Sequence, residues 1–273
     1  MCLDEKNIQK WEVYTILSNP QKDWIWAILP WTKGSYIAQK INFDIPLTVR
    51  ERVKEVVTDM SPSMESIVYK CFPNAILTTD RFHVMKMILD DLNAIRMRAK
   101  TSLRNKEIIA IKQAKQEKKK YVIFRYVTWE TEVELVTRLK RQMSKRQRDR
   151  TRNQISRRKI AQTIPELNEI IIWYEYVSKL REIYDEYWTK EDSKWKLLQR
   201  IQEWFKHWDK IIEIQNMSNS VNNRLESISN YFVRRTTNWY AEWLNSRIQC
   251  LISLAKWFKN IDYTIYRIIK LFA

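Results

Sequence analysis

The sequence predicts an α/β fold in its first part and a long helical region after it. Within the first 80 residues, three β-rich runs are followed by a strand, a helix and another strand, a layout of sheet and helices rather than a helical bundle. From residue 81 to about residue 235, apolar residues recur at steps of three and four, which indicates helices. With 273 residues, the chain can form one large domain or two smaller ones.

The predicted strands are short apolar runs bounded by turn residues. They are expected at Met1–Glu5, Glu12–Leu17, Trp24–Leu29, Val53–Thr58 and Ala75–Thr79. A first helix is expected near residues 33–42. A second begins after Ser61, a favourable N-cap, with Pro62 at the first helical position, and it ends before Pro73.

The positive charge of the chain is concentrated in its centre. The net charge is +17, and residues 81–160 alone carry 24 Lys and Arg against 8 Asp and Glu. This basic segment is densest from Arg138 to Lys159. Its candidate DNA-binding residues are Arg141, Lys145, Arg146, Arg148, Arg150, Arg152, Arg157 and Arg158. One interpretation is a solvated helix face or a disordered linker; the other is a surface that binds phosphates by counterion release.

Several classes of protein are disfavoured by what the sequence lacks. No run approaches the roughly 20 apolar residues of a membrane helix, and no signal peptide opens the chain. The three cysteines form neither a metal-ligand spacing nor a plausible disulfide set, which favours a reducing cytoplasm. Because Gly34 is the sole glycine, no glycine-rich nucleotide loop exists. We therefore expect a cytoplasmic protein with no membrane and no nucleotide cofactor.

Tryptophan is unusually frequent and glycine unusually rare, at 13 and 1 residues. Trp31 and Trp257 occupy turn-like positions where glycine is the usual residue, because a bulky side chain suits positive φ poorly. One hypothesis is that many of these codons are UGA, decoded as glycine in the source organism. The alternative is a protein that is rich in tryptophan, and the codons at these positions decide between the two.

Three acidic residues far apart in the chain lie where a metal-dependent site needs them. Asp4 lies in the first strand, Asp59 closes the fourth, and Glu242 falls in a late helical stretch. Asp59 and Asp80 both follow strands, at the edge where sites of α/β sheets lie. Carboxylate oxygens are ligands that Mg²⁺ and Mn²⁺ prefer. Only folding could bring these side chains together.

Several ordered motifs resemble those of the DDE transposases of bacterial insertion sequences, and most closely the ISL3 family. The central ones are Asp59-Met60-Ser61-Pro62-Ser63-Met64, Phe72-Pro73-Asn74-Ala75 and Thr79-Asp80-Arg81-Phe82-His83-Val84-Met85-Lys86. Those nearer the ends are Leu3-Asp4-Glu5, Asn230-Tyr231-Phe232, Arg235-Thr236-Thr237-Asn238, Ala241-Glu242 with Asn245, and Phe258-Lys259-Asn260. The resemblance covers nearly the whole chain.

This resemblance implies an RNase H-like core, a mixed five-stranded sheet with helices, interrupted by a large all-helical insertion. The core would comprise residues 1–83 and 236–273, and the basic insertion residues 84–235. The catalytic, metal-binding acids would be Asp4, Asp59 and Glu242, holding two Mg²⁺ ions for which Mn²⁺ can substitute. Asp80, His83 and Asn245 would support the site, although His83 is equally explained as a satisfied buried histidine.

The implied function is Mg²⁺-dependent DNA transposition: cleavage at insertion-sequence ends, then strand transfer into target DNA. The partners would be transposon ends and target DNA, the active form a homo-oligomer, and the location the bacterial cytoplasm, associated with the nucleoid. Two departures from the family are expected to matter. No zinc-binding or helix-turn-helix region precedes Asp4, and Trp239 and Trp243 flank Glu242 where the family has small residues.

Two other functions stay open at this point. One is a truncated or decayed transposase that acts as a non-enzymatic DNA-binding protein. The other is a helical scaffold whose basic face meets RNA or a membrane.

Overall fold

The computed structural model of the protein describes residues 1–9, 12–143, 145, 149–186, 189–208, 212–254 and 260–272. The strands are β1 (Cys2–Gln9), β2 (Glu12–Asn19), β3 (Trp24–Pro30), β4 (Glu55–Thr58) and β5 (Ile76–Thr79). The helices are α1 (Gly34–Asp44), α2 (Leu47–Arg50), α3 (Pro62–Cys71), α4 (Arg81–Gln116), α5 (Glu132–Met143), α6 (Arg152–Ala161), α7 (Pro165–Asp185), α8 (Lys190–Trp208), α9 (Ile212–Asn223), α10 (Leu225–Arg234), α11 (Trp239–Leu254) and α12 (Ile261–Phe272).

The strands form one mixed sheet in the order β3-β2-β1-β4-β5. The first three pair antiparallel, whereas β4 pairs parallel with both β1 and β5. Parallel neighbours need a crossover connection, and α3 supplies it between β4 and β5. The prediction of an α/β fold with a mixed five-stranded sheet is therefore confirmed, and the sheet is compatible with an RNase H-like core.

Helices cover both faces of the sheet. On one face, Leu3 and Leu17 pack in a buried cluster with apolar residues of α1 and α3. On the other, α11 and α12 pack against β1, β2 and β3 through a cluster of Ile8, Tyr14, Ile16, Ile25, Ile28, Tyr240, Leu244, Ile248 and Ile268. Each such buried apolar side chain contributes about 1.5–3 kcal/mol. The position of α11 on the sheet is therefore strongly stabilised.

The alternation of side chains along β1 sets the face on which its acid lies. Successive residues of a strand point to opposite faces, so Asp4 shares a face with Cys2 rather than with Leu3. Cys2 packs against Val57 of β4 and Ala241 of α11. Asp4 therefore lies on the side of the sheet that α11 covers.

The start of α3 differs in detail from the expected N-cap. Ser61 occupies the N-cap position with an extended backbone, but its side chain makes no capping hydrogen bond. Instead, Asp59 Oδ1 accepts a hydrogen bond of 2.9 Å from the backbone N–H of Ser61. Ser61 is thus the N-cap residue that the sequence predicts, with Pro62 at the first helical position, and Asp59 fixes the backbone of this N-cap.

The segment that leads into α11 is held to the sheet by buried polar groups. Asn230 of α10 donates a hydrogen bond of 2.8 Å to the carbonyl of Leu77 on β5. The carboxylate of Glu55, on β4, accepts hydrogen bonds from Thr78 at 2.7 Å and from Thr236 at 2.9 Å. Residues 230–236 are therefore tied to two strands immediately before α11 begins.

Contacts divide the chain into two compact units. The first comprises Met1–Val84, Trp188–Lys194 and Arg224–Ala273, and the second Met85–Tyr187 and Trp195–Asn223. The second unit is helical, apart from the connections between its described helices. No helix in the described parts of the chain has the length and apolar character needed to span a membrane.

Two tryptophans have left-handed backbone conformations. The φ angles are 68° at Trp31 and 62° at Trp129, and these side chains are 61% and 80% exposed. A residue other than glycine loses about 1–2 kcal/mol in this region. These are conformations that glycine adopts freely, as the codon hypothesis expects. Trp257 lies outside the described residues.

Candidate functional site

Two asparagine side chains, one on α11 and one immediately before it, hold the carboxylate of Asp4. Its Oδ2 accepts a hydrogen bond of 2.8 Å from Nδ2 of Asn245, on α11. Nδ2 of Asn238, immediately before α11, approaches the same oxygen at 3.5 Å. Its Oδ1 accepts the backbone N–H of Glu5 at 2.8 Å. Both carboxylate oxygens of Asp4 are therefore oriented by donors.

Asp59 follows the carboxyl end of β4, the strand beside β1. The backbone N–H of Ser61 holds one oxygen of its side chain. Asp59 interacts electrostatically with both Asp4 and Glu5, since its negative charge raises the pKa of each. The parallel pairing of β4 with β1 therefore brings the first two predicted acids into one site.

Asp80 occupies the equivalent position after β5 and is 1% exposed. Its backbone N–H donates to the carbonyl of Thr58 at 2.9 Å, which continues the parallel pairing of β4 and β5. Its Oδ1 accepts the backbone N–H of Asn238 at 3.2 Å. Its Oδ2 is buried and has no hydrogen-bond partner. One oxygen of this carboxylate is thus available to a ligand.

Glu242 lies in the first turn of α11 and is exposed. One of its carboxylate oxygens, an oxygen of Asp80 and a ring nitrogen of His83 all lie within 4.8 Å of one another. His83 Nε2 is 4.0 Å from Asp80 Oδ2. His83 also lowers the pKa of Asp4, whereas Glu242 raises it. The charges of His83 and Glu242 therefore act on Asp4, so this group of three residues lies near the acid of β1.

Burial makes the carboxylates of this site costly to ionise. It is the largest cause of the raised pKa of Asp4, opposed by the N–H of Glu5 and by His83 and reinforced by Asp59 and Glu242. Burial likewise raises the pKa of Asp80, against hydrogen bonds from the backbone of Asn238, Phe82 and His83. Burial and mutual repulsion disfavour the ionised form of these carboxylates, and a bound cation would stabilise that form.

All six residues predicted for the site, Asp4, Asp59, Asp80, His83, Glu242 and Asn245, lie in the first compact unit. Among the described residues, the ligand atoms close enough to share one ion are those of Asp80, His83 and Glu242, and this group includes neither Asp4 nor Asp59. Asp4 is linked to it through Asn238 and Asn245, and Asp59 interacts with Asp4 through its charge. Sequence reasoning missed the role of Asn238. This residue is fully buried and contacts Asp80 through its backbone and Asp4 through its side chain. Asparagine directly before a helix is a favourable N-cap, and that signal could have directed attention to it.

The two tryptophans beside Glu242 differ in their surroundings. Trp239 is 60% exposed at the first position of α11. The Trp243 ring stacks on Tyr240 at 5.6 Å and meets Phe272 of α12 edge-on at 6.1 Å. The side chain of Trp243 therefore packs partly against its neighbours, whereas the side chain of Trp239 is mostly exposed to solvent.

Acidic groups gathered at the carboxyl ends of neighbouring strands and at the start of a helix form an arrangement suited to divalent cations. The model of the DDE transposase family of the ISL3 type matches residues 1–268, a range that includes every one of them. The chain belongs to this family of transposases. An ISL3 transposase is a DNA-processing enzyme of the nucleotidyl-transferase type, and DDE transposases generally use divalent metal ions. Among curated proteins no significant match was found, and none among solved structures.

The predicted DNA-binding residues of this ISL3 transposase have varied surroundings. Arg157 Nε donates to both oxygens of Glu130, which is 3% exposed, at 2.8 and 2.9 Å. Arg158 is bonded to Glu175, and the Arg150 guanidinium lies 4.2 Å from the centre of the Tyr174 ring. Arg141, Lys145 and Arg152 are exposed, and Arg146 and Arg148 lie outside the described residues.

Proposed function

We propose that the first compact unit is an RNase H-like catalytic core that cleaves DNA at the ends of an insertion sequence and transfers the cut strand to target DNA. In this proposal Asp4, Asp59 and Glu242 hold two Mg²⁺ ions, for which Mn²⁺ can substitute. The single observation that carries it is the register of β1 and β4, which pair in parallel with Cys2 opposite Val57 and so place Asp4 level with Asp59, while Asn245 bonds α11, the helix of Glu242, to Asp4. Membership of the ISL3 family supports it independently.

The residues present fit divalent cations on two grounds. Their donor atoms are carboxylate oxygens, the ligands that Mg²⁺ prefers. Asp80 Oδ2 is also a buried oxygen without a donor, and such an atom is costly to leave unsatisfied. Bound divalent ions would activate a water or a 3′-hydroxyl for attack and stabilise the leaving oxygen.

The side chains around the acids would contribute preorganisation. Asn245 and Asn238 orient Asp4, and the N–H of Ser61 orients Asp59. Because these donors belong to elements that are packed on the sheet, the carboxylates need little rearrangement to bind a cation. The exposure of Glu242 leaves one side of the site accessible to a DNA phosphate.

The second compact unit is proposed to be the helical insertion, expected from the sequence at residues 84–235, and to supply nonspecific DNA affinity. Its range, which begins at Met85, supports the insertion. Arg141, Lys145 and Arg152 are the exposed members of the predicted set, and they would bind phosphates without reading the sequence. The active form is proposed to be a homo-oligomer that binds transposon ends and target DNA.

A cleavage assay paired with a binding assay tests this function. Wild-type protein is expected to nick supercoiled DNA that carries the insertion sequence with both its ends when Mg²⁺ or Mn²⁺ is present, and to lose nicking when the ion is chelated. Asp59→Asn should lose nicking while its DNA affinity, measured by gel shift at the same salt concentration, stays nearly unchanged. Asp44→Asn, which alters an exposed acid at the end of α1, is the matched control and should nick normally.

Two outcomes would contradict the proposal. Equal loss of binding and nicking in Asp59→Asn would mean that this residue supports the fold rather than the reaction. DNA binding by the wild type with no nicking under any divalent ion would favour the alternative of a decayed transposase that only binds DNA.

A further inference from the structure

Two residues beside the proposed catalytic acids, Asp80 and His83, carry ligand atoms that the roles above assign to no metal ion. Asp80 Oδ2 and His83 Nε2 are 4.0 Å apart, which is too long for a hydrogen bond. A carboxylate oxygen of Glu242 lies within 4.8 Å of the ligand atoms of both residues. The three ligand atoms are therefore close enough to share one ion, and the side chains of Asp80 and His83 make no hydrogen bond with each other.

These separations suit coordination of one ion. Two ligands that are each about 2.1 Å from an ion lie about 3.0–4.2 Å apart, depending on the angle between them. The 4.0 Å between His83 and Asp80 falls within that range. Glu242 is exposed on α11, so a change of side-chain rotamer can close the remaining distance.

An independent observation also points to a cation. Asp80 is 1% exposed, and the backbone N–H of Asn238 donates to its Oδ1. Its Oδ2 is a buried carboxylate oxygen with no donor, a group that folded proteins normally pair or bind to a metal. The N-terminus of α4 carries a partial positive charge that opposes a cation here. The carboxylates of Asp80 and Glu242, with Asp4 nearby, supply more negative charge than that partial charge offsets when a cation binds between them.

We propose that Asp80 and His83, together with Glu242, are ligands of one of the two divalent ions; this inference rests on the proposed function. The local fold supplies the geometry, because Asp80 directly precedes α4 and His83 follows three residues later, on the same face of its first turn. A set of one nitrogen and two carboxylate ligands suits first-row transition ions such as Mn²⁺ better than Mg²⁺. The position should therefore be selective for Mn²⁺.

Pulsed electron paramagnetic resonance with Mn²⁺ alone as the probe tests this ligand set. The full chain, prepared without a histidine tag, is titrated with Mn²⁺, and nitrogen modulation from a coordinated imidazole is recorded. We expect this modulation in the wild type and its loss in His83→Gln, with an affinity lowered at least about tenfold. The matched control is His207→Gln, which removes the only other histidine of the chain and should keep the signal.

Each outcome decides a separate point. Mn²⁺ binding through oxygen ligands only, or nitrogen modulation that persists in His83→Gln or disappears in His207→Gln, would overturn the inference and leave the proposed function intact. Absence of any Mn²⁺ binding by the wild type would overturn both. The signals of the wild type and of His207→Gln together identify the coordinating histidine, so the inference is tested even if His83→Gln fails to fold.

Discussion

Asn245 Nδ2 donates a hydrogen bond of 2.8 Å to Asp4 Oδ2 across 241 residues of sequence. It joins the first strand of the sheet to the helix that carries Glu242. Because α11 is also anchored by the buried side chains of Tyr240, Leu244 and Ile248, the position of Glu242 relative to Asp4 is set by the core of the sheet. The acids of the proposed site are thus brought together by packing as well as by polar contacts.

Removing this contact should weaken metal binding more than folding. In Asn245→Ala the Asp4 carboxylate loses its shortest side-chain donor, so we expect Mn²⁺ affinity to fall about 10- to 100-fold, as for other lost outer-shell partners. Calorimetric titration with Mn²⁺ measures this change. Ser246→Ala, which removes an exposed hydroxyl bonded to the Glu242 carbonyl, is the control. Equal affinities of Asn245→Ala and the wild type would contradict the role of Asn245.

Replacing a left-handed tryptophan by glycine should stabilise the protein. Trp129→Gly relieves the steric cost of a φ of 62° and loses little packing, because the side chain is 80% exposed. We expect a gain of about 1 kcal/mol in the free energy of unfolding, measured in urea. The control is Trp195→Gly, which removes a side chain that is 63% exposed within α8 and should instead cost about 1 kcal/mol. Destabilisation by both substitutions would argue against strain at Trp129.

The same conformations bear on the genetic code of the source. UGA codons at Trp31 and Trp129 are expected if these residues are glycine in the native protein. Sequencing the gene decides this, and UGG codons at both positions would end the hypothesis.

The sheet could be predicted from the sequence because its strands are separate apolar runs with turn residues between them. The runs Glu12–Leu17 and Trp24–Leu29 are predicted as strands, and both form with nearly the expected bounds. The role of Asn238 could not be predicted in this way. Its place before a helix marks Asn238 as a possible N-cap, but its contacts with Asp4 and Asp80 depend on how α11 packs on β1 and beside the end of β5, which the order of residues does not reveal.

Charge density alone likewise could not separate DNA-binding arginines from structural ones. Arg157 bonds to Glu130, which lies 27 residues away and is buried, whereas Arg152 is exposed. The two arginines lie in the same basic segment, and only tertiary packing distinguishes them.

Substitution of Arg157 should therefore change the stability of the protein, and substitution of Arg152 should change its DNA binding. Arg157→Met leaves the buried carboxylate of Glu130 with Arg138 as its ion-pair partner among the described residues, so it should lower the free energy of unfolding by about 1–3 kcal/mol. Arg152→Ala should leave stability unchanged. It should lower the slope of log DNA affinity against log salt concentration by about one, the amount expected for the loss of one phosphate contact. Urea unfolding and gel shifts at several salt concentrations measure the two effects. Unchanged stability of Arg157→Met would show that the ion pair with Glu130 contributes nothing to the fold.

Asp91 in the second unit predicts a dependence of stability on pH. Burial raises its pKa from the ordinary 3.8 to about 6, and the charges of Glu213 and Asp90 add to this. Between these two values the folded state binds more protons than the unfolded state, so stability falls as pH rises through that window. Asp91→Asn should therefore be more stable than the wild type at pH 7, by about 1 kcal/mol once solvent screening is allowed for. Below about pH 4 the two proteins should have the same free energy of unfolding. Urea unfolding curves at pH 7 and at about pH 4 measure this, and an equal difference at both pH values would contradict the raised pKa of Asp91.

The most direct test of the central claim is an anomalous-diffraction map of crystals soaked in Mn²⁺. We predict manganese peaks within bonding distance of the carboxylates of Asp4, Asp59 and Glu242, and their absence from crystals of Asp59→Asn. Crystals saturated with Mn²⁺ that show no peak among these three side chains would contradict it.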